Sequence, residues 1–255
     1  MKIGITLSGG GARGIAHIGV LKALEEMGVN ISAISGTSAG SIVASLYAYG
    51  ITPDQILEQV KQLSLFKSVR PAWTWAGLLT MDGVKELILK NIPENNFAAL
   101  KIPLTIAATE IRKGEVNYFS SGELATAVEA SCSIPAIFSP ASLNGSLYVD
   151  GGLLDNLPAR SIRHQCDFLI GSHCNEISRE FDPKNLKNVI ERSMLIAISA
   201  NTQQSKRLCD VSISPPNMDR FTVFDIGKAQ EIFETGYQFT KNNFKAKQFQ
   251  KASPE

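Results

Sequence analysis

Hydrophobic periodicity switches repeatedly along the first fifty residues. Residues 2–8 (KIGITLS) form a short, largely apolar run suited to a buried strand. Ile15, Ile18, Leu21, Ala23 and Leu24 then recur at helical spacing, and Gly28 supplies a C-terminal stop. Residues 31–35 (ISAIS) read as a second strand, and residues 39–50 (AGSIVASLYAYG) as a small-residue, buried helix ending at Gly50. Strand, helix, strand, helix in this order predicts a βαβ unit and a parallel sheet.

The later pattern extends the α/β reading. Pro53 sits near the first turn of a further helix. Residues 66–81 hold Pro71, Trp73, Trp75 and Gly77 and read as irregular. PLTIAATEI and VNYFS suggest two strands around a Lys113-Gly114 turn, GELATAVEAS is helical, and CSIPAIFSP is a proline-broken connection. LYVDGG ends a strand, DFLIGSHC is a buried strand, and residues 184–203 form a long helix. The last twenty or so residues are polar, with Lys241, Lys245, Lys247 and Lys251, and read as a frayed basic tail. No repeat, linker or composition break divides the chain.

Composition narrows the class. Hydrophobic residues make up 44% and charged residues 19%, too apolar for disorder. A net charge of +1 gives no whole-chain attraction to nucleic acid or an anionic membrane. Cys132, Cys166, Cys174 and Cys209 form no CxxC pair and read as reduced, core-packed thiols rather than a metal site. With no secretory signal and no window near the roughly 20 apolar residues of a spanning helix, a cytoplasmic address is expected.

Two glycine motifs carry the chemistry. Gly9-x-Gly11-x-x-Gly14, between a strand and a helix, matches the dinucleotide fingerprint. That fingerprint needs an acid after the second strand to hold a ribose, and no acid occurs between Glu26 and Asp54. The second strand ends instead in GTSAG, which fits the GxSxG nucleophile elbow. Ser38 must there adopt a strained backbone, so Gly36 and Gly40 carry no side chain; Thr37 and Ala39 complete the turn. The helix that follows aims its N-terminal dipole at the serine. An acyl-transfer serine needs donors for its oxyanion, and the free N–H groups of Gly10 and Gly11 are natural ones. Gly9, Gly10, Gly11, Ala12, Arg13 and Gly14 are thus the candidate oxyanion loop. Arg13 either braces that loop, adds positive potential, or makes a surface ion pair.

The serine also needs a proton acceptor. His17 follows the glycine loop and reads as packed or capping, and His164 as solvated. His173 ends a strand and, with Ser38 and Asp150, would preserve the hydrolase order Ser, Asp, His. Asp150, in YVDGG, competes with it for the role of base: Gly151 and Gly152 leave its carboxylate uncrowded, and a carboxylate can act directly at roughly 2.6–3.2 Å from the serine oxygen.

GGGARG, GTSAG and DGG, in this order on an α/β chain, resemble the patatin-like phospholipase family, as do EASCSIPAIFSP and DGGLLDNLP; the likeness spans residues 2–215. The resemblance implies a three-layer α/β/α fold with a mainly parallel central sheet. It further implies a catalytic domain over residues 1–215, with residues 216–255 as a C-terminal helix and basic tail packed on it. It implies a Ser38–Asp150 dyad with the glycine loop as oxyanion hole, no metal and no cofactor, and His173 outside the catalytic set. Lipid or other fatty acyl esters become the substrate class. Transfer of the acyl group to an alcohol and a catalytically silent lipid-binding protein are the alternatives. Residues 72–79 (AWTWAGLL) are either a lid or lipid-interface contact, or tryptophans pinning a loop to the core. The tail lysines either touch anionic headgroups in a peripheral membrane contact or are simply solvated.

Overall fold

A computed structural model describes residues 1–67, 81–135, 137–175, 177, 181–182 and 186–249. Its elements, in chain order, are β1 (Ile3–Leu7), a 3-10 turn (Gly11–Gly14), α1 (Ile15–Glu26), β2 (Ile31–Thr37), α2 (Ala39–Tyr49), α3 (Pro53–Lys67) and α4 (Met81–Asn91). β3 (Leu104–Glu110), β4 (Glu115–Phe119), α5 (Leu124–Cys132), β5 (Ala141–Leu143), β6 (Ser146–Asp150) and the one-turn helices α6 (Gly152–Asp155) and α7 (Ala159–Ile162) follow. β7 (Phe168–Ser172), α8 (Leu186–Lys206), β8 (Val211–Ile213) and α9 (Ala229–Asn243) complete the described chain. The tryptophan segment 72–79 lies outside the described residues.

The strands build one mixed sheet in the order β5-β6-β3-β2-β1-β7-β8, with β4 also on β3. β3, β2, β1, β7 and β8 run parallel, and β4, β5 and β6 are antiparallel to their neighbours. Strand alternation sorts the residues into two unlike faces. In register, Ile3, Ile5, Leu7, Ile34, Leu104, Ile106, Phe168 and Ile170 share one face, and nearly all are fully buried. Each aliphatic chain buried there is worth about 1.5–3 kcal/mol. Gly4, Thr6, Ser35, Thr37, Thr105 and Gly171 share the other face, where small side chains let the backbone of the 155–158 segment come close. Ser35 Oγ donates to the Pro158 carbonyl (3.0 Å) and Thr37 Oγ1 to that of Asp155 (2.9 Å). Helices therefore cover both faces, giving the α/β/α arrangement.

α1 is buried along nearly its whole length because α9, α2 and α3 all pack on it. α1 and α9 approach so closely that a Cβ on Gly19 would strike the Phe233 carbonyl, and one on Gly236 the Ala16 carbonyl. The C-terminal region is thus part of the fold. Phe249 is fully buried, its ring edge-on to Phe168 and tilted against Phe244, so the tail expected to fray is packed at least that far.

One edge of β3 is shared by two strands. Thr37 of β2 lies opposite Ala107, and Asp150 of β6 lies opposite Ala108. β4 spans the other edge of β3 over residues 106–110. β2 and β6 therefore abut head to head, each ending where the other ends. That junction brings Ser38 to Asp150.

Candidate active site

Ser38 follows directly on β2, at φ 52° and ψ −127°, a backbone region that side chains rarely occupy. Its surroundings explain how the strain is held. A Cβ on Gly36 would lie 2.6 Å from the Gly40 carbonyl oxygen, and one on Gly40 would run into the Leu7 and Ser8 carbonyls. The β2–α2 turn is thus pressed between its own two arms and β1. Ser38 N–H donates to Ser131 Oγ (2.8 Å), whose hydroxyl donates to the Ala107 carbonyl (2.7 Å). Ser41 Oγ closes the turn onto the Ser38 carbonyl (2.6 Å).

The Asp150 carboxylate accepts the Gly152 N–H at Oδ1 (2.7 Å), and Ser38 lies near enough to act on its protonation. Asp150 is 9% exposed. Burial raises its pKa and the Ser38 and Gly152 groups pull it part of the way back, leaving it at about 6. Gly151 sits where a side chain would collide with the Ala107 carbonyl, so the turn after Asp150 folds flat against β3.

The glycine loop lies across the same point. Gly14 touches Ala39, and a Cβ on Gly9 would meet Asn156 Oδ1 and the Ser38 Cβ. Gly9 N–H is already bound by the Asn156 carbonyl (3.1 Å), and Ala12 N–H by that of Val223 (2.8 Å). Among the described residues no protein acceptor meets the N–H of Gly10, Gly11 or Ala39. Of the six loop residues named together in the sequence, Gly9 and Ala12 thus spend their N–H groups on neighbouring backbone, and those of Gly10 and Gly11 meet no backbone acceptor among the described residues.

Arg13 is no surface ion pair. Its side chain is 6% exposed, its Nε has no partner among the described residues, and desolvation lowers its pKa. Cys174 and Asp219 act on it in the opposite direction, raising its pKa. His17 is fully buried and neutral, its pKa lowered to about 4 by desolvation. Nε2 donates to the Ser8 carbonyl (2.9 Å), which fixes the tautomer, so Nδ1 accepts from Ser172 Oγ (2.8 Å). It ties the start of the loop to β7. His173 is also buried, its pKa pushed to about 3 by desolvation and then by Lys206, His17 and Arg13; neither Ser38 nor Asp150 acts on its ring. His164 is exposed.

A cavity of about 100 Å³ runs from Ser38 between α1, α2 and α4. Ile18, Ile42, Val43, Val84, Leu87 and Phe138 are among its walls, and its surface is almost wholly apolar. Cys132 lines it too, its Sγ 3.9 Å from Ser41 Oγ, with burial and the Asp150 charge raising its thiol pKa. Cys132, Ser131, Asn156 and Asn201 all touch this site and are not among the candidate site residues read from sequence, where Cys132 reads as a core thiol. For the first two the signal was present in EASCSIP, one turn upstream of the proline break.

Residues 5–162 match the patatin-like phospholipase family, more than half of the chain, and the chain belongs to that family. An uncharacterized NTE family protein of Mycobacterium bovis is 34% identical over 164 residues, covering 63% of this chain and 45% of the relative. Lysophospholipase nte1 of Aspergillus fumigatus is 28% identical over 273 residues, covering 94% of this chain and 18% of the relative. The chain therefore spans less than half the length of either relative. Among solved structures it is similar to VipD from Legionella pneumophila, with TM-score 0.48 and 17% identity over 92% of this chain and 67% of that one. Human GIVD cytosolic phospholipase A2 gives TM-score 0.45 and 12% identity, over 94% and 58% respectively.

Proposed function

We propose that this chain is a serine acyl-ester hydrolase of lipid substrates, working through Ser38 and Asp150. The observation that carries the proposal is the meeting of two strand ends, which sets Ser38 beside the buried Asp150 carboxylate at the mouth of an apolar cavity. Asp150 takes the Ser38 proton as Oγ attacks the ester carbonyl carbon. The N–H groups of Gly10, Gly11 and Ala39 hold the resulting oxyanion. Collapse of the tetrahedral intermediate expels the alcohol, which takes its proton from Asp150. Water, deprotonated by Asp150, then attacks the acyl-serine; as the second intermediate collapses, Ser38 Oγ recovers the proton and the fatty acid leaves. A carboxylate near pKa 6 suits this exchange, being ionised at neutral pH yet basic enough to take a proton. His17, bound to Ser8 and Ser172, and His173, a buried neutral ring on which neither Ser38 nor Asp150 acts, stay outside the cycle.

The cavity takes the acyl chain, because walls of this kind offer no partner to a head group. The similarity to a lysophospholipase supports monoacyl phospholipids as the first substrates to assay. No helix of the described residues is long and apolar enough to cross a membrane.

A fluorophosphonate probe and a panel of lysophospholipids, phospholipids and acyl esters test the proposal. Wild-type protein should be labelled and turn over substrate, Ser38→Ala should do neither while keeping its thermal midpoint, and His173→Gln should keep most activity. Turnover retained by Ser38→Ala, or loss in His173→Gln as deep as in an Asp150 variant, would refute it.

A further inference from the structure

The turn that carries Asp150 depends on a glycine whose conformation nothing in its own sequence fixes. Gly152 N–H donates to Asp150 Oδ1 at 2.7 Å. A Cβ at this position would lie 2.9 Å from that same Oδ1 and 3.0 Å from Asn156 Oδ1, so a side chain here would press on both. Glycine fits without displacing either, and its wide φ/ψ freedom leaves the donor free to swing away from the carboxylate. α6 is a single turn and supplies little restraint of its own.

The restraint comes from α8, beyond the stretch that matches the family. Asn201 Nδ2 donates to the Gly152 carbonyl (3.0 Å) and to the Leu153 carbonyl (3.3 Å). Its Oδ1 accepts the Asn156 N–H at 3.0 Å. The carbonyl of that same Asn156 receives the Gly9 N–H at 3.1 Å. Asn156 Nδ2 reaches α8 a second time, at Thr202 Oγ1 (3.3 Å). One amide side chain therefore joins two parts of the site that are more than 140 positions apart in sequence: the Asp150 turn directly, and the glycine loop through a single residue.

We propose that Asn201 is a positioning residue for the hydrolysis, clamping the Gly152 donor onto Asp150 while holding the glycine loop in register with it. The proposal rests on the Ser38–Asp150 assignment. An aliphatic residue would fill the space but offer neither donor nor acceptor. A carboxylate would keep the contact with Asn156 and set a negative charge against the Gly152 and Leu153 carbonyls.

The clamp predicts a specific signature. In Asn201→Ala the Gly152 N–H is less firmly held on Asp150, one of the two donors that lower the Asp150 pKa weakens, and the acid limb of the rate profile moves upward. We expect kcat to fall roughly 10- to 100-fold with KM changed about two-fold or less, as for a loss of alignment rather than of binding. Gln204→Ala, an exposed change on the same helix, should leave kcat and the profile unaltered. Asn201→Ser, which keeps a shorter polar group, serves if the alanine variant does not fold, and should show the same shift at smaller amplitude. Carbon-13 NMR titration of the Asp150 carboxyl in a Ser38→Ala background reads the clamp without turnover. If wild-type protein proves inactive and unlabelled by a fluorophosphonate, the assignment of function fails, and the titration still decides whether Asn201 acts on Asp150. A rate profile and an Asp150 titration unmoved by Asn201→Ala, with any loss of rate matched by loss of fold, overturn the proposal.

Discussion

At the scale of single residues, the site holds two groups in states they would not choose alone. Ser38 keeps a left-handed backbone at a cost of order 1–3 kcal/mol, and Asp150 keeps a carboxylate out of water. The second has a measurable sign. Because the folded pKa of Asp150, about 6, lies above its ordinary 3.8, the fold favours the protonated acid. The resulting stabilisation is fully present below about pH 4 and is lost as pH rises through 6. Asp150→Asn should therefore match wild-type stability at pH 4 and exceed it at pH 8 by up to about 3 kcal/mol, while activity falls by several orders of magnitude. Chemical denaturation at the two pH values checks this. In wild-type protein the same titration should appear as an acid limb in kcat/KM near pH 6, since only the carboxylate accepts the Ser38 proton. A limb centred near pH 4 would mean that burial does not perturb this group.

At the scale of elements, the cavity is a product of helix placement. α2 supplies Ile42 and Val43, α4 supplies Val84 and Leu87, and α1 supplies Ile18, so its depth is set by side chains one turn apart on facing helices. Leu87→Trp should shorten the preferred acyl chain, raising KM for long chains at least about ten-fold and leaving short acetyl or butyryl esters near wild type. A chain-length series compared with wild type reads it directly. Much at this scale was legible in the sequence. β1, α1, β2 and α2 each carry a complete period, and GTSAG and DGG sit at strand ends, where their backbone geometry has a purpose. α4 carries a readable Val84, Leu87, Ile88 spacing, although it is absent from the elements expected above. β5, β8, α6 and α7 are three or four residues long, too short for any period to show. Ser131 and Asn201 are polar residues in helices, and nothing local separates them from solvated ones. Their partners lie 24 to 93 positions away, so only tertiary structure reveals what they hold.

At the scale of the whole molecule, the spacing of the proposed reacting pair, Ser38 and Asp150, is measured off by a strand that contributes neither of them. Consecutive rungs of β3, Ala107 and Ala108, receive the end of β2 and the end of β6. One residue inserted between those rungs would part the two ends by roughly 3.3 Å and turn one partner to the opposite side of the sheet. The chemistry would then stop with Ser38 and Asp150 both intact. The same insertion in the hairpin tip at Asn144 and Gly145, where both residues already have positive φ, alters no rung and should be silent in a hydrolysis assay. β3 thus acts as the gauge block of the site: its length, more than the identity of its side chains, sets how far apart the two strand ends stand.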